Sequence, residues 1–287
     1  VTMAPVLTSK ELVEGARREI VAHVAEEKQA GRVPCMAVVV ATDDSAALSY
    51  ARVKDRIAKE LGIEVRIEVL DASTTQAALN QRMEALSNDP MVHGVLLELP
   101  LRRGLDANIA INCLAPQKDI DGLSDFNVAR VAVGNEEVAI APATPQACIA
   151  PAESETKVAG KLVTVIGRGR TVGRPLAHML INRGATVIHC HSGTSDLPSL
   201  TSQCDILFTA TGRAGLVGAA HVRAGQVVVD AGTDYSSGKV LGDVDAEAVG
   251  HVVKAYTPVP GGVGPLTTVF LFKNLLKAIA LQTGSEQ

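Results

Sequence analysis

An α/β fold in two domains is what this chain predicts, on three observations. Short apolar runs of strand length alternate with helix-spaced apolar stripes along most of its length, the pattern of a mostly parallel sheet faced by helices. That alternation breaks in a loop-rich stretch from 116 to 145 and starts again at Lys161, so it occurs twice. The interior is also aliphatic: 47% of the 287 residues are hydrophobic, only 2% are aromatic and none is Trp, as expected of buried parallel strands. The length agrees, at roughly 100–200 residues per domain.

The elements follow in order. Leu12, Val13, Ala16, Ile20 and Val24 recur at helical spacing within 9–30, and Gly31 to Pro34 end the pattern before a strand over 36–41. A helix over about 45–61 stops at Gly62 and feeds a strand over 63–70. Helix 75–86 and strand 93–99 complete the first alternation. The second runs from strand 161–166 through a glycine turn into helix 175–182 and strand 185–190. Strands at 205–210 and 226–230 follow, then a Gly/Pro-rich segment over 257–265 and a last helix from about 266 to 281. The boundary falls near 139–150, dividing a first domain, 1–142, from a second, 143–265, with the last helix returning to the first.

Composition excludes several classes of function. A net charge of -4 with interspersed signs provides no basic stripe for a nucleic acid. The longest apolar stretches, such as 226–232, read as strand-length, and the first ten residues lack a signal-peptide layout, so no membrane partner and a cytosolic location are expected. Cys35, Cys113, Cys148, Cys190 and Cys204 are scattered without metal-binding spacing and read as small buried hydrophobes; no metal site is expected.

Chemistry concentrates in two places. Gly167, Gly169 and Gly173 stand between a buried strand and a helix whose first turn contains Pro175, a layout that rests a dinucleotide pyrophosphate on unpaired helix N–H groups. A plain strand-to-helix turn would show the same glycines. The next strand ends in His189-Cys190-His191-Ser192, without the carboxylate that binds an NAD ribose, while Arg168 and Arg170 offer positive charge to a 2′-phosphate; NADP is favoured over NAD. Those arginines could equally be solvated surface charges. In the first domain, Tyr50 and Lys54 share a face of a helix just after a strand end, where α/β sheets open their clefts. A ring can cover a flat heterocycle and a lysine can polarise a ligand or take a proton; a surface Lys beside a half-buried Tyr is the plainer alternative. Glu98 ends an apolar strand, and Asp121 precedes Gly122 in a loop, where it could receive paired donors or serve as an ordinary turn residue.

Taken together, Tyr50 with Lys54, Leu99-Pro100-Leu101, Lys118-Asp-Ile-Asp121-Gly122, Ala143-Thr144-Pro145, the glycine turn, Cys190-His191-Ser192 and Thr257-Pro-Val-Pro-Gly-Gly-Val-Gly-Pro-Leu-Thr267 resemble one family in content and order. It is the bifunctional methylenetetrahydrofolate dehydrogenase/cyclohydrolase family, and the match covers nearly the whole chain. The resemblance implies two three-layer α/β domains, the second of Rossmann type, with the substrate in a cleft between them. It implies oxidation of 5,10-methylenetetrahydrofolate by NADP, hydrolysis of the methenyl product to 10-formyltetrahydrofolate, and a homodimer. It further implies that Lys54 polarises folate or activates water, Tyr50 stacks, and Asp121 holds the pterin beside Leu99, Pro100, Pro260, Gly261, Gly262 and Pro265. Gly167, Arg168, Gly169, Gly173, His191, Ser192, Thr211, Gly232 and Thr233 would hold the cofactor.

Several positions depart from the family's pattern: Glu98 replaces an active-site Gln, Ala47 a Ser, Ala143 a Cys, Leu123-Ser124 a Phe-His pair, and Gly169 a common Ser. A carboxylate beside Lys54 keeps it charged and opposes the proton transfer that hydrolysis needs, so that step is expected to suffer while hydride transfer survives. Two alternatives stay open: a paralogue acting on another one-carbon adduct or cyclic imine, and a non-catalytic folate- or NADP-binding protein.

Overall fold

Parallel strands joined by helices build both halves of the chain; a computed structural model describes residues 3–234 and 239–284. The chain divides into two units. One comprises Gly15–Arg130, Asn135–Ala143 and the chain from Leu271; the other holds the chain up to Glu14, Val131–Gly134 and Thr144–Phe270.

After helix α1 (Lys10–Gln29), the first unit runs β1 (Cys35–Val40), α2 (Ser45–Leu61), β2 (Glu64–Val69), α3 (Gln76–Asn88) and β3 (Gly94–Glu98). The order β2-β1-β3 is all parallel, with Val40 level with Val69 on one side and Glu98 on the other. Every residue of β1 is buried, as its unbroken apolar run requires, whereas edge strand β2 alternates charged and apolar residues and is half open. Asp44 caps α2 by accepting from Ala46 N, and Gly62, at φ 79°, closes it in the left-handed conformation that favours glycine. Ala37, Val39, Leu79, Met83, Leu86, Val95 and Leu97 form the core on one face of the sheet.

The stretch 116–145, read from sequence as loop, is not all loop. It holds a short 3-10 turn, Pro116–Lys118, then α5 (Asp125–Ala132) and the start of α6 (Ala143–Glu155), and is preceded by the five-residue α4 (Ala107–Ile111). No apolar stripe marks α6, because it is buried almost all round and carries Pro151 within it.

In the second unit β4 (Leu162–Ile166), α7 (Gly173–Asn182), β5 (Thr186–Cys190), α8 (Leu197–Thr201), β6 (Ile206–Thr209), β7 (Val227–Asp230), α9 (Ala246–Gly250) and β8 (Ala255–Tyr256) form a parallel sheet in the order β5-β4-β6-β7-β8. The chain leaves β4 towards β5 and returns on its other side as β6, so the carboxyl ends of β4 and β6 flank a topological switch point, where open α/β sheets bind ligands.

The last helix, α10 (Val263–Thr283), is long and apolar enough by length and composition to cross a membrane, so the longest apolar element is helix-length rather than strand-length. It carries Lys273, Asn274 and Lys277, and the last two bond to backbone carbonyls of the first unit. These contacts are those of a core helix.

Candidate active site

In the first unit the βα connectivity converges on Lys54. Its helix α2 starts just beyond β1, and neighbouring β3 ends in Glu98. Lys54 Nζ donates to Glu98 Oε1 at 2.8 Å and Oε2 at 2.9 Å. Only 14% of the lysine side chain and 10% of the glutamate side chain are exposed. The plainer sequence alternative is thereby reversed: the lysine is largely enclosed, and Tyr50, one turn earlier on α2, is the open residue at 43%. Leu99 is half-buried and Pro100 exposed, joined by a cis peptide.

Asp121 joins the same electrostatic group from the loop after the 3-10 turn. Its carboxyl is pushed up to about 7, first by burial and then by the charge of Asp119; Lys54 pulls it down and Glu98 adds to the rise. The residue keeps partial solvent access. A turn explanation accounts for Gly122, at φ 72°, but not for Asp121, because the carboxylate that organises the turn is Asp119. Asp119, 2% exposed, accepts from Gly122 N at 3.0 Å, Ser124 N at 2.7 Å and Asn127 Nδ2 at 3.0 Å. The altered positions Ala47, Leu123, Ser124 and Ala143 are all buried.

In the second unit the glycine turn leaves β4 at the switch point. Gly167 has φ 113°, and a Cβ there would stand 2.3 Å from Ala210 O; a Cβ on Gly173 would stand 1.9 Å from Gly167 O. Both glycines let the first turn of α7 lie against the end of β4, where Arg174 N donates to Gly169 O at 3.1 Å and Leu176 N to Val172 O at 2.9 Å. Gly169 is different: a Cβ would meet nothing within 4 Å, so packing does not require glycine there. Arg168 is exposed and Arg170 half-buried. At the end of β5, His191 N donates to Thr194 Oγ1 at 2.9 Å and His191 Nδ1 accepts from Gly193 N at 3.0 Å, which leaves Nε2 as the protonated, donating nitrogen of the neutral ring. Ser192 is exposed beside it, and no carboxylate stands at this strand end. Pro260, Gly261 and Pro265 are exposed in this same unit, and Gly262 is buried, its Cβ position lying 2.5 Å from Pro258 O.

Three supporting residues escaped sequence reasoning. Asp243, fully buried, accepts from Thr209 Oγ1 at 2.6 Å, Thr211 N at 2.7 Å and Arg213 N at 2.8 Å, and a Cβ on Gly232 would stand 2.0 Å from its Oδ1. It thus shapes the loops of Thr211 and Gly232, which lead on to exposed Thr233. His189 Nε2 bonds Gly167 O at 2.7 Å. Asn274 bonds the backbone before Asp121. Only Asn274 left a sequence signal, a lone amide in an apolar helix.

Residues 7–121 match the family described as tetrahydrofolate dehydrogenase/cyclohydrolase, catalytic domain, and residues 142–283 match its NAD(P)-binding domain. Among curated relatives, the bifunctional protein FolD of an Exiguobacterium species is 39% identical over 275 residues, 96% of this chain and 98% of the relative. Among solved structures, the bifunctional enzyme FolD of Campylobacter jejuni superposes with a TM-score of 0.93 at 34% identity, covering 98% of this chain and 99% of the other. The Trypanosoma brucei methylenetetrahydrofolate dehydrogenase-cyclohydrolase, solved with NADP and an inhibitor, superposes with a TM-score of 0.91 at 30% identity over 100% of both chains.

Proposed function

The chain belongs to the tetrahydrofolate dehydrogenase/cyclohydrolase family, and on that footing we propose that it oxidises 5,10-methylenetetrahydrofolate to the methenyl form with NADP, while Glu98 restrains hydrolysis to 10-formyltetrahydrofolate. The observation that carries the second half is the two-oxygen grip of Glu98 on Lys54.

The turn around Gly167 and Gly173 fits a dinucleotide, because both positions exclude a side chain and bring the start of α7 to the end of β4. Gly167, Arg168, Gly169, Gly173, His191, Ser192, Thr211, Gly232 and Thr233 would hold NADP, with Arg168 and the His191–Ser192 pair meeting its 2′-phosphate. NADP, when bound, supplies the hydride acceptor.

On the folate side, exposed Tyr50 covers the pterin face and Asp121 receives its paired N–H donors, with Leu99 and Pro100 of the same unit as further substrate contacts. Loss of hydride leaves positive charge on the one-carbon bridge, and the carboxylate of Glu98 stabilises it as it develops. Hydrolysis asks the opposite of the site: a group must take a proton from water. Lys54 is the candidate, and it faces Glu98 as a donor to both carboxylate oxygens rather than as a proton acceptor. Methenyltetrahydrofolate therefore accumulates.

Mixing the protein with 5,10-methylenetetrahydrofolate and NADP or NAD, while following the reduced nicotinamide and the methenyl chromophore together, tests both halves. NADP reduction with build-up of methenyl product is expected. Reduction without build-up removes the restraint assigned to Glu98, and no reduction with either nucleotide removes the dehydrogenase reading. In that case Glu98 and Ala47 favour a paralogue for another one-carbon adduct or cyclic imine, which a substrate panel identifies, and binding without turnover marks a non-catalytic binder. A homodimer rests on the family resemblance; sedimentation checks it.

A further inference from the structure

Helix α10 is apolar for most of its length, yet it buries Asn274 at 3% exposure among Phe272, Leu275 and Ala278. A leucine would fill similar space without loss of hydration, whereas a buried amide is costly unless its hydrogens find partners. Those of Asn274 do: Nδ2 donates to Ile120 O at 2.8 Å and to Ala141 O at 2.9 Å.

The two carbonyls belong to segments that meet behind Asp121. Ala143 N donates to Asp121 O at 3.3 Å, and a Cβ on Gly122 would stand 2.5 Å from Ile140 O and 2.7 Å from Pro142 N. The loop is closed locally by Asp119, which accepts from Gly122 N at 3.0 Å and Ser124 N at 2.7 Å. The carbonyl of Ile120, immediately before Asp121, accepts a bond from a residue 154 positions later.

We propose that Asn274 is a positioning residue for the folate site, fixing the place of the Asp121 carboxylate relative to Lys54 and Glu98 by clamping the backbone of Ile120 to that of Ala141. The inference rests on the reading of Asp121 as the group that holds the pterin. Asn274 touches no substrate, so its removal acts through Asp121 and leaves the cofactor residues of the other unit untouched.

The test uses full-length Asn274→Leu, Asp121→Asn and their double variant, with Phe272→Leu as a control that weakens the same buried helix away from the clamp. Asn274→Leu is expected to raise the KM for methylenetetrahydrofolate about tenfold, well within what a misplacement on the order of 1 Å costs. The NADPH dissociation constant should stay within about twofold, and the double variant should lose no more than about twofold beyond Asp121→Asn, as two residues acting in series do. Phe272→Leu should lower Tm without moving the folate KM. Additive losses in the double variant, an unmoved KM in folded Asn274→Leu, or an equal KM rise in Phe272→Leu would each overturn the proposal. If Asn274→Leu does not fold, Asn274→Ser, which keeps one donor, carries the same comparison. Unchanged kcat/KM in Asp121→Asn overturns the assignment of Asp121 itself, whereas a strong Asp121→Asn effect beside silent Asn274 variants overturns the clamp alone.

Discussion

At the scale of single residues, Glu98 and Asp121 carry the chemistry in different ways. Glu98→Gln keeps an acceptor for Lys54 but removes the negative charge, which frees the amine for proton transfer. Cyclohydrolase turnover should then rise about tenfold or more, on the scale general base catalysis reaches, with dehydrogenase rates flat or falling. A coupled assay of methenyl decay in both proteins checks this, and an unchanged hydrolysis rate would remove Glu98 from the account. Asp121 speaks through stability. Its carboxyl is raised from 3.8 to about 7, so the folded protein holds that proton more tightly than the unfolded chain does. The stabilisation from the neutral form is complete below the unfolded value and is lost as pH rises through about 7. Asp230, raised to about 6 mainly by burial, has the same sign. Melting temperature should therefore fall as pH climbs from about 4 to 7, and Asp121→Asn should flatten the upper part of that slope. The sequence placed each of these carboxylates at the end of an element. That Glu98 stands beside Lys54, 44 positions away, was legible only through the family resemblance, because pairing between βα loops is set by the order of strands in the sheet.

At the scale of elements, the turn between β4 and α7 separates glycines demanded by packing from one that is not. Gly173→Ala drives a methyl into Gly167 O and should cost about 1–3 kcal/mol with a marked loss of NADPH binding, as overpacking against backbone does. Gly169→Ala has open space and should stay within about 0.5 kcal/mol in thermal denaturation. Equal effects of the two substitutions would contradict the packing account. The long alternating elements were legible in sequence because most strands show as short apolar runs bounded by turn residues and the helices as apolar stripes recurring about every 3.6 residues. What stayed hidden were α4, α8, α9 and β8, each of five residues or fewer, the eight-residue α5, and α6, which is buried on most faces and so shows no stripe.

At the scale of the molecule, the two-domain architecture was legible because the alternation stops and restarts, and because the motifs around Lys118–Gly122 and Thr257–Thr267 keep their order along the chain. The debt of the first unit to the chain's end is spatial: a Cβ on Gly94, at the start of β3, would stand 2.3 Å from Ile120 Cγ2 and 2.8 Å from Leu275 Cδ1. Leu271, Phe272, Leu275 and Ile279 are buried, each contributing about 1.5–3 kcal/mol, against a total stability of only about 5–15 kcal/mol. A chain ending at Phe270 should therefore lose the cooperative melting of the first unit, as followed by circular dichroism and limited proteolysis.

That dependence sets an order in time as well as in space. All of the glycine-turn unit has been translated once Phe270 is added, whereas the unit of Lys54, Glu98 and Asp121 still lacks everything from Leu271 onward. A nascent chain stalled with Phe270 outside the ribosome should protect 144–270 from protease and leave 15–130 open. The half of the enzyme that is synthesised first is the half that is finished last.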